Sequence, residues 1–446
     1  MIAPRTRPLI PPFKLPLFPA LDLRQRCSAL AAFVLPALTL ALPSGYAYGI
    51  VLLTLCAVAT APHWLRQPMA STSARWLLLV FAVMGVVWLY GGDLSKGWSV
   101  LNKPSRYGLA VLCIPFVFAF PPRGRFLLLG IAVGAAAGGF RALYDVHVLG
   151  FDRAWIDSAT RSSGAIQYGN LSGLFGLMCW VQWVVGMDRC RWQQRLLMAA
   201  CAVLGLLGSL LSQTRGGWLA LALCMLPLSW LLVRHLWGRR VLVGGAGLLA
   251  LVALLCWYQA PQLEQRWEQA QSEVSGYVDN GNARTSVGQR LDHWQLAWNM
   301  GLDRPWGGWG ELGYQQEKQR RVEAGLAQPI VLEFGHAHNE WLDMFAKRGL
   351  VGLGGLLLFY GVPLVLLWPT RQRVLRPDGL LDRQALCLRL VGVLLPLGYL
   401  GFGLTQVFLA HFNGNMVYLF MVLLVLAALE PAAAEPPRAL RVHKLP

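Results

Sequence analysis

The segment around which the chain is organised reads Gly-His-Ala-His-Asn-Glu-Trp-Leu-Asp-Met-Phe-Ala-Lys-Arg-Gly and spans residues 335–349. It begins as a polar loop with two histidines and opens into a helix, because Trp341 and Phe345 are four residues apart and share one helix face. A hydrophobic run, 350–369, follows at once. His338 is therefore predicted where a polar loop enters the membrane. The same position also suits a histidine that only makes hydrogen bonds in an interfacial segment.

The composition indicates an all-α polytopic integral membrane protein. Of the 446 residues, 56% are hydrophobic and only 14% are charged, which is too apolar for an ordinary soluble protein. Repeated apolar runs reach the ~17–25 residues that a membrane-spanning helix needs. We predict about twelve spans, at 28–43, 46–62, 76–91, 106–121, 125–143, 165–187, 195–212, 217–237, 240–260, 350–369, 386–409 and 415–433.

The net charge of +17 follows from membrane topology rather than from a nucleic-acid partner. If the N-terminus is cytoplasmic and the spans alternate, the inner segments carry 22 basic residues against six acidic ones. The outer segments then hold 16 of each sign. This asymmetry obeys the positive-inside rule, which predicts that both termini are cytoplasmic.

The same topology predicts the domain organisation. The first apolar run lacks a small-residue cleavage site, so we expect a retained helix rather than a signal peptide. Only one extramembrane piece is long enough to form a subdomain. The predicted parts are a Pro-rich arm at 1–27, nine spans within 28–260, an outer helical loop with the candidate catalytic segment at 261–349, three spans within 350–433 and a tail at 434–446.

Two outer joints carry candidate anion-binding arginines. Arg161 lies in Thr-Arg-Ser-Ser-Gly (160–164), before a helix with Asn170 in its first turns, where free backbone N–H groups attract anions. A capped helix with a solvated arginine is the alternative. Arg215 lies in a short hairpin, 211–218, with no nearby acid to pair with. We expect Gly216 and Gly217 to form the tight turn there and Arg215 to bind an anion. Arginines at helix ends can also simply snorkel to the interface.

The outer loop is predicted to hold two amphipathic helices, at 261–278 and 290–300, followed by a turn at 303–310. The second helix carries Arg290 and a stripe formed by Leu291, Trp294 and Trp298. Trp306 and Trp309 in the turn could stack on sugars, although packing on the membrane surface is commoner for such residues.

A metal site is not the favoured interpretation of the histidines. His336, His338 and Glu340 form an incomplete ligand set without helical i, i+4 spacing. The chain also lacks the DxD triplet that metal-dependent sugar transferases often use. His411, in a later outer joint, fits a structural role better than a catalytic one.

These residues favour transfer chemistry at the outer interface over transport. Most spans lack an ionisable residue near the middle, whereas proton-coupled transporters usually need buried acids, histidines or lysines along their path. Arginines bind phosphate oxygens through a planar fork, and a histidine can accept a proton from an attacking hydroxyl near neutral pH. Together they could transfer a glycan from a lipid pyrophosphate to a hydroxyl.

The sequence resembles the bacterial superfamily of O-antigen ligases, O-antigen polymerases and O-oligosaccharyltransferases. The shared motifs are Thr-Arg-Gly-Gly-Trp (214–218), Arg290-x-x-x-Trp294, Asp303-x-Pro305 with Gly-x-Gly at 308–310, and His338-Asn339-x-x-Leu342 with Gly349 and Gly352. Arg161-Ser-Ser-Gly164 with Asn170 is similar to an earlier motif of the family. The match covers about 155–355, and the first four spans match in hydropathy alone.

The resemblance implies a GT-C-like membrane glycosyltransferase of the bacterial inner membrane with its active site on the periplasmic face. The donor would be an undecaprenyl-pyrophosphate-linked glycan and, in the ligase branch, the acceptor a sugar hydroxyl of lipid A–core. No cofactor and no metal are implied. By matching position, His338 would be the general base, while Arg215 and Arg161 would hold the pyrophosphate. Four further residues are weaker or supporting substrate-binding candidates: Arg290, His336, Asn339 and Asn170.

Within the superfamily, a polymerase or a protein O-oligosaccharyltransferase would use the same donor with a different acceptor. The single late loop, without a further soluble domain, favours the ligase. A flippase for lipid-linked sugars would also need arginines, but these should line a route across the bilayer rather than gather on one side.

Overall fold

The computed structural model describes residues 22–155, 164–186, 192–236, 238–258, 260–280 and 284–430. Most of the predicted arm and all of the predicted tail lie outside these ranges. Within them the chain is helical, and the one pairing of extended residues is an antiparallel bridge between Leu375 and Leu381. Short 3₁₀ segments cover Leu94–Leu101 and Pro329–Leu332, and a π-helical turn covers Tyr144–Val148. The α-helices are α1 (Leu23–Thr39), α2 (Tyr46–Ala59), α3 (Ala61–Trp64), α4 (Thr72–Tyr90), α5 (Asn102–Ala119), α6 (Gly124–Leu143), α7 (Gly164–Val185), α8 (Trp192–Leu211), α9 (Arg215–Leu236), α10 (Arg239–Tyr258), α11 (Ala260–Asn280), α12 (Ser286–Asp303), α13 (Gly310–Glu323), α14 (Glu340–Leu367), α15 (Arg371–Val374), α16 (Arg383–Gly403) and α17 (Phe412–Ala428).

The predicted class, an all-α polytopic membrane protein, is confirmed. Six helices of the described chain are long and apolar enough to cross a bilayer, and others are apolar but shorter. Each of the twelve predicted stretches coincides with a helix, although their number as membrane crossings stays a prediction. The six long helices are Thr72–Tyr90, Gly124–Val148, Trp192–Leu211, Arg215–Leu236, Glu340–Leu367 and Arg383–Gly403.

The centre of the bundle is formed by helices that are apolar all round. Helix α17 is buried continuously from Asn413 to Ala427, and α7 is buried from Gln167 through Gln182. Helix α16 packs on α7, α9, α14 and α17. This packing brings the start of α9 and the end of α16 to the same end of the bundle as the start of α14.

Helix α14 breaks where the sequence changes from polar to apolar. Gly349 has a left-handed φ of 59°, and a Cβ there would lie 2.4 Å from the carbonyl oxygen of Trp306. The Leu350 amide instead donates to the carbonyl of Pro305 at 2.7 Å. The break separates the segment that carries the candidate site from the long apolar run after it.

The predicted span 386–409 is too long, because its helix ends at Gly403. The chain from 404 to 411 then runs as turns, which is possible because side chains satisfy its backbone. The Leu404 carbonyl accepts from the Asn339 amide at 3.1 Å, and the Leu409 amide donates to the Glu340 carboxylate at 2.8 Å.

The two amphipathic helices predicted between α10 and α14 are confirmed as α11 and α12. Helix α13 is an addition: it is polar on every side, so it offers no hydrophobic period from which it could be predicted. The boundaries proposed for a subdomain here stay a prediction. The region has its own small apolar core, formed by Leu296, Ala297, Met300, Tyr314, Val331, Ala337 and Ala346.

Candidate functional site

The loop that precedes α14 is held rigidly by its own polar side chains. Asn339 caps the helix, because its amide oxygen accepts from the backbone N–H groups of Trp341 at 3.0 Å and Leu342 at 3.2 Å. Asp343 accepts from the Ala337 amide at 3.0 Å and from the Lys347 ammonium at 3.0 Å. This support maintains His338 at a left-handed φ of 53°, a conformation that side chains rarely adopt outside functional loops.

His338 lies in a cluster of aromatic rings from three parts of the chain. Its ring centroid is 4.4 Å from that of His336, 4.6 Å from that of Phe334 and 5.5 Å from that of His293 on α12. The ring of His411, from the loop after α16, lies 6.4 Å from that of His336. The Nε2 atom of His338 is buried and has no hydrogen-bond partner in the described chain. It is therefore available to a substrate hydroxyl.

The cluster holds neutral imidazoles at neutral pH. Burial and then the positive charge of Arg290 lower the pKa of His338 below its usual 6.5, although the nearby Gln406 side chain and then the negative charge of Asp343 act in the opposite direction. Burial lowers the pKa of His336 to about 4, that of His411 to about 4 and that of His293 to about 3. A neutral imidazole is the form that a general base requires.

Arg215 and Arg290 lie within electrostatic range of each other, and Arg290 lies within range of His338. Arg215 is exposed at the first turn of α9 and makes no hydrogen bond or ion pair with the described residues. Arg290, half-buried on α12, has a pKa lowered by burial and then by the positive charge of Arg215, with Glu273 acting against this. The same Arg290 charge lowers the pKa of His338. Two like charges held close together with little compensation form an attractive site for an anion.

The hairpin before α9 departs from the sequence prediction in how it turns. Gln213, with a φ of 54°, makes the turn, whereas Gly216 and Gly217 are already helical, so the turn predicted at these glycines is wrong. The glycines instead allow close packing. A Cβ at Gly216 would lie 2.0 Å from the hydroxyl oxygen of Thr405, and one at Gly217 would lie 2.4 Å from the amide oxygen of Asn170.

Two comparisons show which known proteins this chain resembles. The sequence model of a family described as O-antigen ligase matches residues 200–357, a range that holds Arg215, Arg290 and His338. The resemblance to the O-antigen ligase superfamily is confirmed. The chain is also 23% identical over 385 residues to a Haemophilus influenzae protein described only as uncharacterized, which covers 85% of this chain and 92% of that protein. The O-antigen ligase family comprises glycosyltransferase-like membrane enzymes, which supports a ligase- or polymerase-type activity here.

Four predicted site residues fall outside the triad of Arg215, Arg290 and His338. One of them, His336, packs its ring against that of His338. Arg161 lies outside the described residues. Asn170 is fully buried against Gly217 of α9, and neither of its amide atoms has a hydrogen-bond partner among the described residues. Asn339 uses its oxygen to cap α14 and its nitrogen to bond Leu404, which suits positioning of the loop. The substrate-binding roles of all four stay predictions.

The sequence did not single out His293, although this residue is fully buried and lies within the range that the family model matches. Both of its ring nitrogens lack hydrogen-bond partners in the described chain. The stripe predicted from Leu291, Trp294 and Trp298 is not the buried face, because Trp298 is half-exposed. The buried face carries His293, Leu296, Ala297 and Met300. His293 lies on that apolar period, and this spacing is the signal that identifies it.

A buried ion network attaches α13 to the membrane helices beneath the site. The Glu311 carboxylate lies 3.0 Å from the Lys103 ammonium on α5, 3.4 Å from that of Lys347 and 3.3 Å from the Arg348 guanidinium on α14. Burial alone would raise the pKa of Glu311, but these three cations outweigh it and hold the pKa well below its usual 4.5. Lys103 is therefore engaged by a carboxylate.

Replacing Glu311 by glutamine is expected to destabilise the protein by about 3 kcal/mol, because three cations would lose their shared partner. The contribution of Glu311 is present above its unfolded pKa and is lost as pH falls towards the lower folded value. The midpoint of thermal unfolding in detergent should therefore fall for Glu311→Gln at pH 7, and the gap from wild type should narrow below pH 4. Glu323→Gln, on the exposed end of α13, is the matched control. An equal effect of both substitutions would contradict the anchoring role.

Proposed function

We propose that the protein is an O-antigen ligase of the bacterial inner membrane, with its site on the periplasmic face. It would transfer an undecaprenyl-pyrophosphate-linked glycan to a sugar hydroxyl of lipid A–core. The observation that carries this proposal is the unpartnered Nε2 atom of His338, which lies within electrostatic range of Arg290, as Arg290 does of Arg215. Neither arginine has an ion-pair partner among the described residues. One group can take a proton, and the other two can hold a pyrophosphate.

The proposed reaction is a direct displacement. His338 Nε2 removes the proton from the acceptor hydroxyl, whose oxygen forms a bond to the anomeric carbon of the donor glycan. The bond from that carbon to the pyrophosphate oxygen breaks, and the electron pair leaves with undecaprenyl pyrophosphate. Arg215 and Arg290 stabilise the charge that develops on the leaving group, and Arg161 is proposed to assist. A single displacement inverts the anomeric centre.

One feature supports this chemistry over transport. The cationic groups gather at one end of the bundle, whereas a flippase requires them along a path across it. A polymerase or a protein O-oligosaccharyltransferase would use the same donor site, and the acceptor alone separates them from a ligase.

Purified protein in nanodiscs, supplied with lipid-linked O-antigen and EDTA, is expected to transfer glycan to lipid A–core and not to a second lipid-linked glycan or a serine-containing protein. Glycan transfer would be measured by gel mobility and mass spectrometry, and the new linkage by NMR. Transfer to either of the other acceptors alone would replace the ligase assignment. Retained anomeric configuration would exclude the single displacement, and dependence on a divalent metal would exclude the metal-independent mechanism.

A further inference from the structure

A polar cavity lies next to the His338 cluster and has no place in the mechanism above. Its volume is about 540 Å³, within the range of small-molecule sites. One wall is the start of α12, with Thr285 and Gln289, and the other is the loop before α14, with Ile330 and Glu333. The Gln289 amide donates to the Glu333 carboxylate across the cavity at 3.3 Å.

The cavity shares both of its walls with the reaction centre. Gln289 precedes Arg290, which lowers the pKa of His338. Glu333 precedes Phe334, whose ring centroid lies 4.6 Å from that of His338. A ligand in the cavity would therefore contact Gln289, the neighbour of Arg290, on one side. On the other side it would contact Glu333, the neighbour of Phe334, whose ring packs on His338.

The lining suits a neutral polyhydroxylated ligand better than an anion. Arg284 and Glu333 both line the cavity, which therefore carries one charge of each sign. The N–H groups at the start of α12 are already used, since Gly288 donates to the Thr285 hydroxyl at 3.0 Å and Val287 to the Glu273 carboxylate at 3.0 Å. What remains is a set of amides, hydroxyls and a carboxylate, which are the partners that sugar hydroxyls need.

We propose that this cavity binds a sugar unit of one of the two glycan substrates, next to the reacting hydroxyl. The inference rests on the proposed function, which requires sugars beside the base as well as phosphates beside the arginines. The sugar can belong to the acceptor or to the donor glycan, because both present the same hydroxyl chemistry. Gln289 and Glu333 are its proposed hydrogen-bonding residues.

The test measures binding and kinetics of the full-length protein in nanodiscs. Two probes separate the sources of sugar: core oligosaccharide freed of lipid A by mild acid, and O-antigen polysaccharide released in the same way. One probe is expected to bind wild type, and Gln289→Ala to weaken that binding about 5- to 20-fold by removing one or two hydrogen bonds. The KM of the matching substrate should rise by the same factor with kcat changed less than about twofold.

Gln319→Ala is the matched control, because Gln319 makes the same kind of amide-to-carboxylate bond, to Glu323 at 2.7 Å, on the exposed side of α13. Glu333→Gln, which keeps the shape of the side chain, is the second variant should Gln289→Ala not fold. Binding of neither probe, or equal binding by the cavity variants and the control, would overturn the inference. A loss of kcat with KM unchanged would also overturn it.

The outcomes separate this inference from the proposed function. If wild type transfers glycan and the cavity variants behave as the control, the subsite is refuted and the ligase activity stands. If wild type binds a probe through Gln289 but transfers no glycan to any acceptor, the subsite stands and the proposed function is refuted.

Discussion

Transfer by the His338→Ala variant is expected to fall by ~10²–10⁴-fold, the usual contribution of a general base. The methyl side chain cannot accept the proton of the acceptor hydroxyl, whereas the arginines that would hold the pyrophosphate are untouched. Donor affinity should therefore stay within about twofold of wild type while kcat is lost. Both quantities would be measured with purified protein in nanodiscs, by single-turnover transfer and by equilibrium binding of lipid-linked glycan.

The pH dependence of the transfer rate gives an independent check of His338 as the general base. The pKa of His338 lies below 6.5, so the base form already dominates at pH 7. The rate should rise with pH through this lowered pKa and then stay level to about pH 8, with no second rise near 6.5. His147→Ala, at an exposed histidine outside the cluster, is the control for loss of any imidazole. Near-normal turnover by the His338 variant would remove the histidine from the chemistry.

The low pKa values of the other three imidazoles allow the pH profile to be assigned. His336 and His411 have pKa values of about 4 and His293 of about 3, so all three are neutral across the range tested. A charge change near neutral pH therefore belongs to none of them. If the His338→Ala variant retained activity with a profile shifted below pH 5, a neighbouring imidazole would be the base instead.

The fold can be predicted from sequence wherever local patterns decide the structure. Apolar runs locate the helices of the bundle, and the change from polar to apolar at Gly349 marks a real break in α14. Helix α13 escapes prediction because its residues are polar on every side. Its position is set by the pairing of Glu311 with Lys103, which are 208 residues apart in the chain. Such a contact has no local sequence signal.

The candidate site can be predicted for a different reason. Arginine and histidine are conspicuous in the polar joints between apolar runs, so the sequence alone distinguishes Arg215 and His338 from their apolar surroundings. Their meeting with Arg290 depends on how α12 packs against α14, which periodicity does not reveal. The turn predicted at Gly217 is wrong for a related reason. A glycine pair is compatible with a turn and also with close packing between helices. Here Gly217 packs closely against Asn170, a contact that the local sequence does not reveal.

Replacing Arg215 by alanine is expected to weaken binding of the lipid pyrophosphate donor by about 10- to 100-fold, as for the loss of charge-assisted hydrogen bonds. Arg215→Lys should recover only part of this loss, because lysine keeps the charge but not the planar fork. Affinity would be measured with polyprenyl pyrophosphate in nanodiscs. Arg234→Ala, an exposed arginine at the opposite end of the same helix, controls for a general loss of positive charge. If Arg215→Ala and Arg234→Ala weakened binding equally, Arg215 would only attract anions nonspecifically.

A double-mutant cycle then decides whether Arg215 and Arg290 hold one ligand. The two charges repel in the empty protein, since Arg215 contributes to the lowered pKa of Arg290, and a shared pyrophosphate would remove that repulsion. If both arginines bind the same group, the second substitution should weaken donor binding far less than the first. The coupling energy would then differ from zero by about 0.5–3 kcal/mol. Strictly additive losses would place the two arginines on separate ligands. Arg290 would then lie with the acceptor, and Arg215 alone would stabilise the leaving group.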